Sequence, residues 1–514
     1  MNPFIRQQLY NGKRRIEHRL RPIQWAAQDW PMFSASNIHY EVAGRTRAIS
    51  CGGIGAIHLL ARHVGLPEAI DQSIHLLKVH LPYHESDHVL NIAYNILAGG
   101  TCLEDLELLR NNEVYLDALG AQRIPDPTTA GDFCRRFESP QQVLGLMETI
   151  NQVRLNVWKQ QPAEFFDVAV IDADGTIAAT DGECKEGMDI AYNGQWGYHP
   201  LVLSLANTKE PLYLVNRPGN RPSHEQAAEY FDKSFDLSRR AGFKRILARG
   251  DTDFSQTAHL DRWDAAGDVG FIFGIDKHKG LVSRAQLLSN SAWKRLERPP
   301  RYEVKTQQRQ RPENVKERIV RQRNYQNLVS KWEDVAEFEY RPVACKKAYR
   351  IVALRKKIAV KMGQGTLWEE YRYFFFITNE RDLSAMEVVL LANDRCDQEN
   401  LIAQLKGPVR AMKMPTGDLV SNWAYMVMAS LAWTLKAWAG PSLPVSAGRW
   451  ADRHRQQKSQ VVKMEFKSFL AALVTVPCQI VKAGRRIIYR LLSWNPWMAT
   501  LVRAVEAWRT PLRC

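Results

Sequence analysis

Five acidic side chains stand where they could act together. DADGT holds Asp172 and Asp174, and RGDTDF holds Asp251 and Asp253. NDRCDQENLIAQLKG, residues 393–407, holds Glu399 between Arg395 and Lys406. At about 100° per residue these three fall within roughly 40° of one another on a helix. Leu401, Ile402, Leu405 and Val409 form an apolar face beside them. Carboxylate oxygens suit hard cations such as Mg2+. Two such ions about 3.5–4 Å apart clamp the attacking and leaving oxygens of a phosphodiester. Each residue also has an ordinary reading. Aspartate in a strand-end turn caps its own backbone. An i, i+4 Arg–Glu pair on a helix surface contributes only a few tenths of a kcal/mol. Spacing alone leaves both readings open.

The elements needed to position these acids can be read from the pattern. FFDVAVIDADGTIAAT is rich in Val and Ile and predicts a strand, on which Asp172 and Asp174 point to the same side. YHPLVLSLANT and PLYLVNRPGN predict a hairpin joined by TKE. A helix over 223–243 with a Ser223 cap follows, ending near Gly242, and then the strand RILARGD. After a short helix, VGFIFGI is a further strand, so the order is β-β-β-α-β-α-β. Strand ends in an α/β sheet are where that architecture places its sites. Residues 294–323 are strongly basic, and VAEFEYR, YRIVALRKK and YRYFFFITN predict strands. Residues 50–160 read as helical, including SDHVLNIAYNILAGG with a Ser86 cap and PDPTTAGDFCRRF with a Thr cap. WAYMVMASLAWTL predicts a buried helix, too short to span a bilayer. The expected organisation is a mainly helical region over 1–160 and a core over 161–276. A β-rich insertion over 277–376, the second core segment with the Glu399 helix over 377–446, and a basic helical tail over 447–514 complete it.

The chain has 514 residues, enough for several domains, with 70 Lys and Arg against 55 Asp and Glu, a formal charge of +15. That excess suits a polyanion, nucleic acid above all, although a basic surface can also be inert. Bases of the tail (Arg449, Arg453, Arg455, Lys458, Lys463, Lys467, Arg485, Arg486, Arg490) are candidates for contact with DNA or a second subunit. The eight cysteines occur singly, without C-x-x-C spacing, which predicts a reduced, cytoplasmic setting. No signal peptide and no membrane association are expected. HESDH, residues 84–88, matches H-E-x-x-H in letters. Pro82 and the Ser86-Asp87 cap put His84 outside the helix, so no zinc protease site is expected.

These residues together resemble the DDE transposases of bacterial insertion sequences, with their ribonuclease H-like core. The resemblance is strongest to the Y-R-E-K superfamily numbered four and its relatives, especially the group numbered thirteen-eighty. Arg395-x3-Glu399-x6-Lys406 fits the last three members of the signature, and Ala392 stands where the tyrosine would be. Asp174-Gly175-Thr176 matches the first acid's D-G-T, and Arg249, Asp251, Thr252 and Phe254 match the second acid's strand end. NGQWGYHPLVLSLANT, NRPGN and the β-rich insertion also match, and the resemblance runs from about 50 to 480.

The resemblance implies an α/β, ribonuclease H-like mixed sheet interrupted by a β-rich insertion, with helical N- and C-terminal regions, the N-terminal one over 1–160 binding the DNA end. It implies Asp174, Asp251 and Glu399 as catalytic residues and ligands of two Mg2+ ions, for which Mn2+ substitutes. Asp172 and Asp253 are supporting or alternative. Arg395 and Lys406 would hold phosphates of the DNA end, and Arg249 would also contact DNA. Trp332 would stack on a flipped base, as an insertion-domain Trp does in relatives, or pack in the core. The implied partners are double-stranded DNA, as terminal inverted repeats and target, and a second copy in a paired-end complex at the bacterial nucleoid. A hairpin intermediate belongs to the family and leaves no mark in the sequence. The rival readings are a catalytically inactive DNA-binding repressor and a hydrolytic nuclease of the same fold.

Overall fold

The structure is a computed structural model describing residues 2–19, 35, 37–40, 46–80, 82–180, 182–298, 326–362, 365–484 and 486–512. The basic stretch 299–325 and Arg485 lie outside the described residues. Among the described residues nine strands form one sheet. In chain order they are β1 Val168–Gly175, β2 Leu201–Leu205, β3 Glu210–Val215, β4 Arg245–Gly250 and β5 Val269–Ile275. They continue with β6 Lys294–Arg295, β7 Gln326–Tyr340, β8 Tyr349–Met362 and β9 Gly365–Thr378. The spatial order is β6-β7-β8-β9-β5-β4-β1-β2-β3. β1, β4 and β5 run parallel, while β1-β2-β3 is an antiparallel meander. This is a large mixed sheet within a fold rich in helices, the α/β architecture that the resemblance implies.

The chain between β5 and the Glu399 helix extends this same sheet. β9 pairs antiparallel with β5, and β8, β7 and β6 follow outward. Next to β5 these strands alternate between two cores, with Ala336, Ile351, Ala353, Phe375 and Ile377 on one side and Val335, Val352 and Leu354 on the other.

β1 shows how one strand serves two layers. Ala169, Ile171 and Ala173 are fully buried in the main core, and Val168 and Val170 pack toward a smaller cluster built on Leu247, Ile272, Val352, Val388 and Val389. Asp172 and Asp174 share the second side. Helix Ala385–Asn393 covers that side with Val388 and Val389. Helix Ala227–Ala241 belongs to the other side, through Tyr230, Phe231 and Phe235.

The apolar run at 423–435 lies inside helix Leu419–Ala439, which is buried from Ser421 to Ala439. Its all-round apolar surface fits a position enclosed by other elements. It touches helices Glu85–Leu97 and Pro140–Trp158 and strand β3, joining the N-terminal helices to the sheet. Among the described residues no helix is long and apolar enough to cross a membrane.

One buried ion pair locks this junction. Glu210 Oε2 accepts from Arg154 Nε at 2.7 Å and from Trp438 Nε1 at 2.8 Å, and its Oε1 accepts from Trp158 Nε1 at 3.0 Å. Arg154 also donates to the Pro211 carbonyl at 2.7 Å and to Asn151. Both charged side chains are about as enclosed as any in the fold, 1% and 0% exposed. Removing one member strands the other without a partner, at a cost of about 3–5 kcal/mol. Glu210→Ala is therefore expected to lower the melting temperature sharply, with Glu210→Gln losing less. An unchanged melt for Glu210→Ala would show that the junction does not depend on this pair.

Several helix boundaries differ from expectation. Helix Glu85–Leu97 starts after His84, whose backbone N–H donates to Asp87 Oδ2 at 2.9 Å. Ser86 is not the cap, because its hydroxyl is committed to Asp71. Asp126, not a threonine, caps helix Pro127–Arg135 by accepting from Thr129 N. The helix expected from Ser223 begins only at Ala227, after Gln226 at φ 62°. The Pro222, Ser223 and Glu225 carbonyls are occupied by Arg217 Nη1. In the tail, helices Ala451–Lys463 and Met498–Trp508 flank a hairpin, Cys478–Ala483 with Arg486–Leu491. Its β-branched alternation around Gly484 at φ 56° accounts for the turn back, and Ala48–Ile49 pairs with it.

Candidate active site

Three elements deliver one acid each. Asp174 lies near the end of β1, in register with Val202 of β2. Asp251 follows the last residue of β4 and accepts from the backbone N–H of Asp253 at 3.0 Å, capping the turn Thr252–Phe254. Glu399 projects from helix Cys396–Lys406. Gln398 sets the seat of that helix. It is 1% exposed, donates to the Val202 carbonyl at 3.0 Å and accepts from the Ser204 hydroxyl. Val202 and Ser204 are the register partners of Asp174 and Asp172, so Gln398 ties the glutamate helix to the strand beside the aspartates.

The acids meet at Arg395, the residue just before the helix. Its Nη1 lies 3.0 Å from Asp174 Oδ2, and its Nη2 lies 3.9 Å from both Asp251 Oδ2 and Glu399 Oε1. Three carboxylates thus converge on one guanidinium. Asp174 and Arg395 are mostly buried and Glu399 is exposed. Burial raises the Asp174 pKa to about 6; Arg395 opposes this, and the charges of Asp251 and Glu399 add to it. Asp251 is also raised, again by burial first, with Arg395 opposing. Burial lowers Lys406 against the pull of Asp174, whose charge it senses from the far end of the helix.

Asp172 takes a different role from Asp174. It is 1% exposed and forms a two-pronged pair with Arg249, Nε to Oδ1 at 2.7 Å and Nη2 to Oδ2 at 2.8 Å. Arg249 Nη1 donates to the Leu391 carbonyl at 2.8 Å. Burial alone would lower the Arg249 guanidinium; the charge and hydrogen bonds of Asp172, with the charges of Asp394 and Asp397, together outweigh it and raise it. The DNA contact expected of Arg249 is therefore corrected: its donors are spent inside the protein, holding β1, β4 and the Leu391 backbone together. Asp253 is exposed and reaches the site through its backbone amide to Asp251.

Trp332 is not beside the acids. Asp172 aligns with Arg249, Arg249 with Ile272, Ile272 with Thr378, and Phe376 with Val352. Even-numbered residues of β8 therefore share the acids' face. Trp332 pairs with Lys357, an odd position, so it lies on the opposite face. There Arg295 sits 5.0 Å and Lys357 4.4 Å from its ring centroid. Stacking a base next to the acids, the role expected from the resemblance, does not fit that position.

His199 escaped the sequence reading. It is buried, its Nδ1 lies 2.6 Å from the Arg221 carbonyl, and its Nε2 faces Gly175, the neighbour of Asp174. A Cβ on Gly175 would come within 3.0 Å of that nitrogen, so glycine is what admits the imidazole. The signal available was the YHPL tetrapeptide, residues 198–201, entering β2.

HESDH is structural. Glu85 accepts from Leu76 N and Leu77 N, both at 3.0 Å, and His88 stacks on Phe133 at 4.3 Å. Among the described residues no group of three or more His, Cys, Asp or Glu is arranged to hold a metal ion directly. The three acids of the site are separated by the Arg395 guanidinium.

A family model described as Transposase DDE domain group 1 matches residues 31–510. The chain belongs to the DDE transposase family. DDE transposases generally use divalent metal ions and act as enzymes on DNA. No curated protein matches this transposase. Among solved structures, a piggyBac transposase synaptic complex with hairpin DNA is similar over 83% of this chain and 82% of that chain, at 10% identity and a TM-score of 0.33.

Proposed function

We propose that this transposase cuts DNA at the terminal inverted repeats of a bacterial insertion sequence and joins the freed ends to target DNA. The observation that supports this most is the convergence of Asp174, Asp251 and Glu399, from a strand, a strand end and a helix, on one cationic group. Three carboxylates against one guanidinium leave negative charge in excess, in a set of hard oxygen donors. The chemistry of that donor set suits Mg2+, with Mn2+ as substitute, which Asp174, Asp251 and Glu399 would hold once the Arg395 guanidinium between them turns to DNA. Bound there, a pair of ions would supply Lewis acidity and a deprotonated water or 3′-hydroxyl.

The protein residues have separate tasks. Arg395 now balances the acids; in a DNA complex its planar fork suits a phosphate of the end being cut. Lys406, partly buried near the same acids, adds a point charge for the adjoining phosphate. Asp172, Arg249 and Gln398 keep β1, β4 and the glutamate helix in register. Ala392 stands at the tyrosine position of the Y-R-E-K signature, so this chain lacks whatever that tyrosine contributes, while the three acids are all present. Two copies would act together, one at each element end.

The test is a supercoiled plasmid carrying the sequences that flank the reading frame, incubated with full-length protein and Mg2+. Cut ends followed by joined products are expected. Cutting without joined products would replace this reading by a hydrolytic nuclease. Binding without cutting would replace it by a repressor.

A further inference from the structure

The N-terminal helix Pro3–Arg19 has no buried residue. Ile5, Leu9 and Gly12 are its half-buried positions, spaced i, i+4, i+7. That is one narrow stripe of a helix. The stripe rests on the C-terminal part of the chain: Gly12 faces the Trp494 side chain, Leu9 joins the main core from its edge, and the helix touches Met498–Trp508.

The opposite side of the helix is presented outward. At about 100° per residue, Gln7, Tyr10, Asn11 and Arg14 occupy it together, with Arg6 and Lys13 along one edge. Gln7 Nε2 donates to Asn11 Oδ1 at 3.1 Å, and Arg14 lies 5.9 Å from the centroid of Tyr10, itself 53% exposed. The lone acid of the helix, Glu17, is 3.3 Å from Lys13. Arg15 and Arg19 add further positive charge at the flanks.

This face has the chemistry of a duplex reader. A helix fits the major groove, Arg pairs with the guanine edge, and Asn or Gln pairs with adenine. Lys and Arg at the margins meet phosphates. A solvated helix needs charge of either sign, typically alternating. Here three cations, two carboxamides and one tyrosine share a side with a single, already paired acid. At 17 residues the helix is about 25 Å long, which spans several base pairs of the groove.

We infer that helix Pro3–Arg19 lies in the major groove of duplex DNA, with Gln7, Asn11 and Arg14 reading bases and Arg6 and Lys13 holding the backbone. This rests on the transposase reading above and adds to it the element that recognises the DNA end.

The experiment uses the full chain and a pool of random-sequence duplexes about three helical turns long. Wild type is expected to enrich a defined motif. Gln7→Ala and Asn11→Ala are expected to lose preference at one or two base pairs of that motif while keeping most of the affinity. Arg6→Ala is expected to weaken binding about tenfold on every sequence and to reduce the salt slope by about one. All three positions are exposed, so melting temperatures should match wild type. Wild type that binds and cuts DNA, with variants of unchanged motif, affinity and salt slope, would overturn this assignment alone. Wild type that neither binds nor cuts any duplex would overturn the transposase reading as well.

Discussion

Asp174→Asn is expected to leave a folded protein that binds end DNA but cuts it about 10³-fold more slowly, or worse. The side chain sits where three acids converge, and losing one hard-cation ligand removes several kcal/mol of transition-state stabilisation. Asp251→Asn and Glu399→Gln should behave alike, since Arg395 reaches all three. Asp172→Asn should separate from them. Its carboxylate holds the buried Arg249 in a two-pronged pair. The substitution leaves that cation without its anion at a cost of about 3–5 kcal/mol, so Asp172→Asn should fail first in thermal melting. The measurement is paired: melting temperature and plasmid cleavage on the same preparations. If Asp174→Asn cuts as well as wild type while Asp172→Asn melts normally and does not cut, the two roles are exchanged.

The five sheet strands through residue 275 and the buried helix near 430 could be read from period alone, because each has one or two apolar faces and a core waiting for them, whereas the short strands Ala178–Ala179, Asp189–Ile190 and Trp196–Tyr198 were too brief to show a period. What brings the acids together could not. Asp174 and Arg395 are 221 positions apart in the chain, and only the parallel crossing of β1, β4 and β5 makes them neighbours. The choice between Asp172 and Asp174 was invisible for the same reason. Both point to one side of β1, and the difference is that Arg249 of the next strand stands opposite Asp172. Trp332 shows the limit of local reading: its side of the sheet depends on register carried across β4, β5, β9 and β8. Gln398 looked like one more polar position on an amphipathic helix, yet it is buried against β2. The tail hairpin was hidden by flanking bases, although its Ile-Val and Ile-Ile pairs carry the β-branched signal.

Acidity at the site predicts how metal and protons compete for it. Asp174 has a folded-state pKa of about 6, above its ordinary value of 3.8, chiefly because it is buried. The sign follows from linkage: the folded state binds this proton more tightly than the unfolded chain. The group therefore costs nothing below about pH 4, and its cost grows until the pH passes about 6. There it reaches roughly 3 kcal/mol. Asp251, raised for the same reason, acts in the same direction. Metal-free protein should consequently melt lower at about pH 7.5 than at about pH 5 through these groups, and Asp174→Asn should flatten that difference. A divalent ion needs the deprotonated carboxylates. Mn2+ or Mg2+ at about 100 times its dissociation constant should then stabilise wild type by about 2.7 kcal/mol at pH 7.5, and far less at pH 5. Melting curves at the two pH values, with and without the ion, measure this directly. An equal rise in Asp174→Asn and wild type at pH 7.5 would place the ion elsewhere, and would remove Asp174 from the set of residues that hold it.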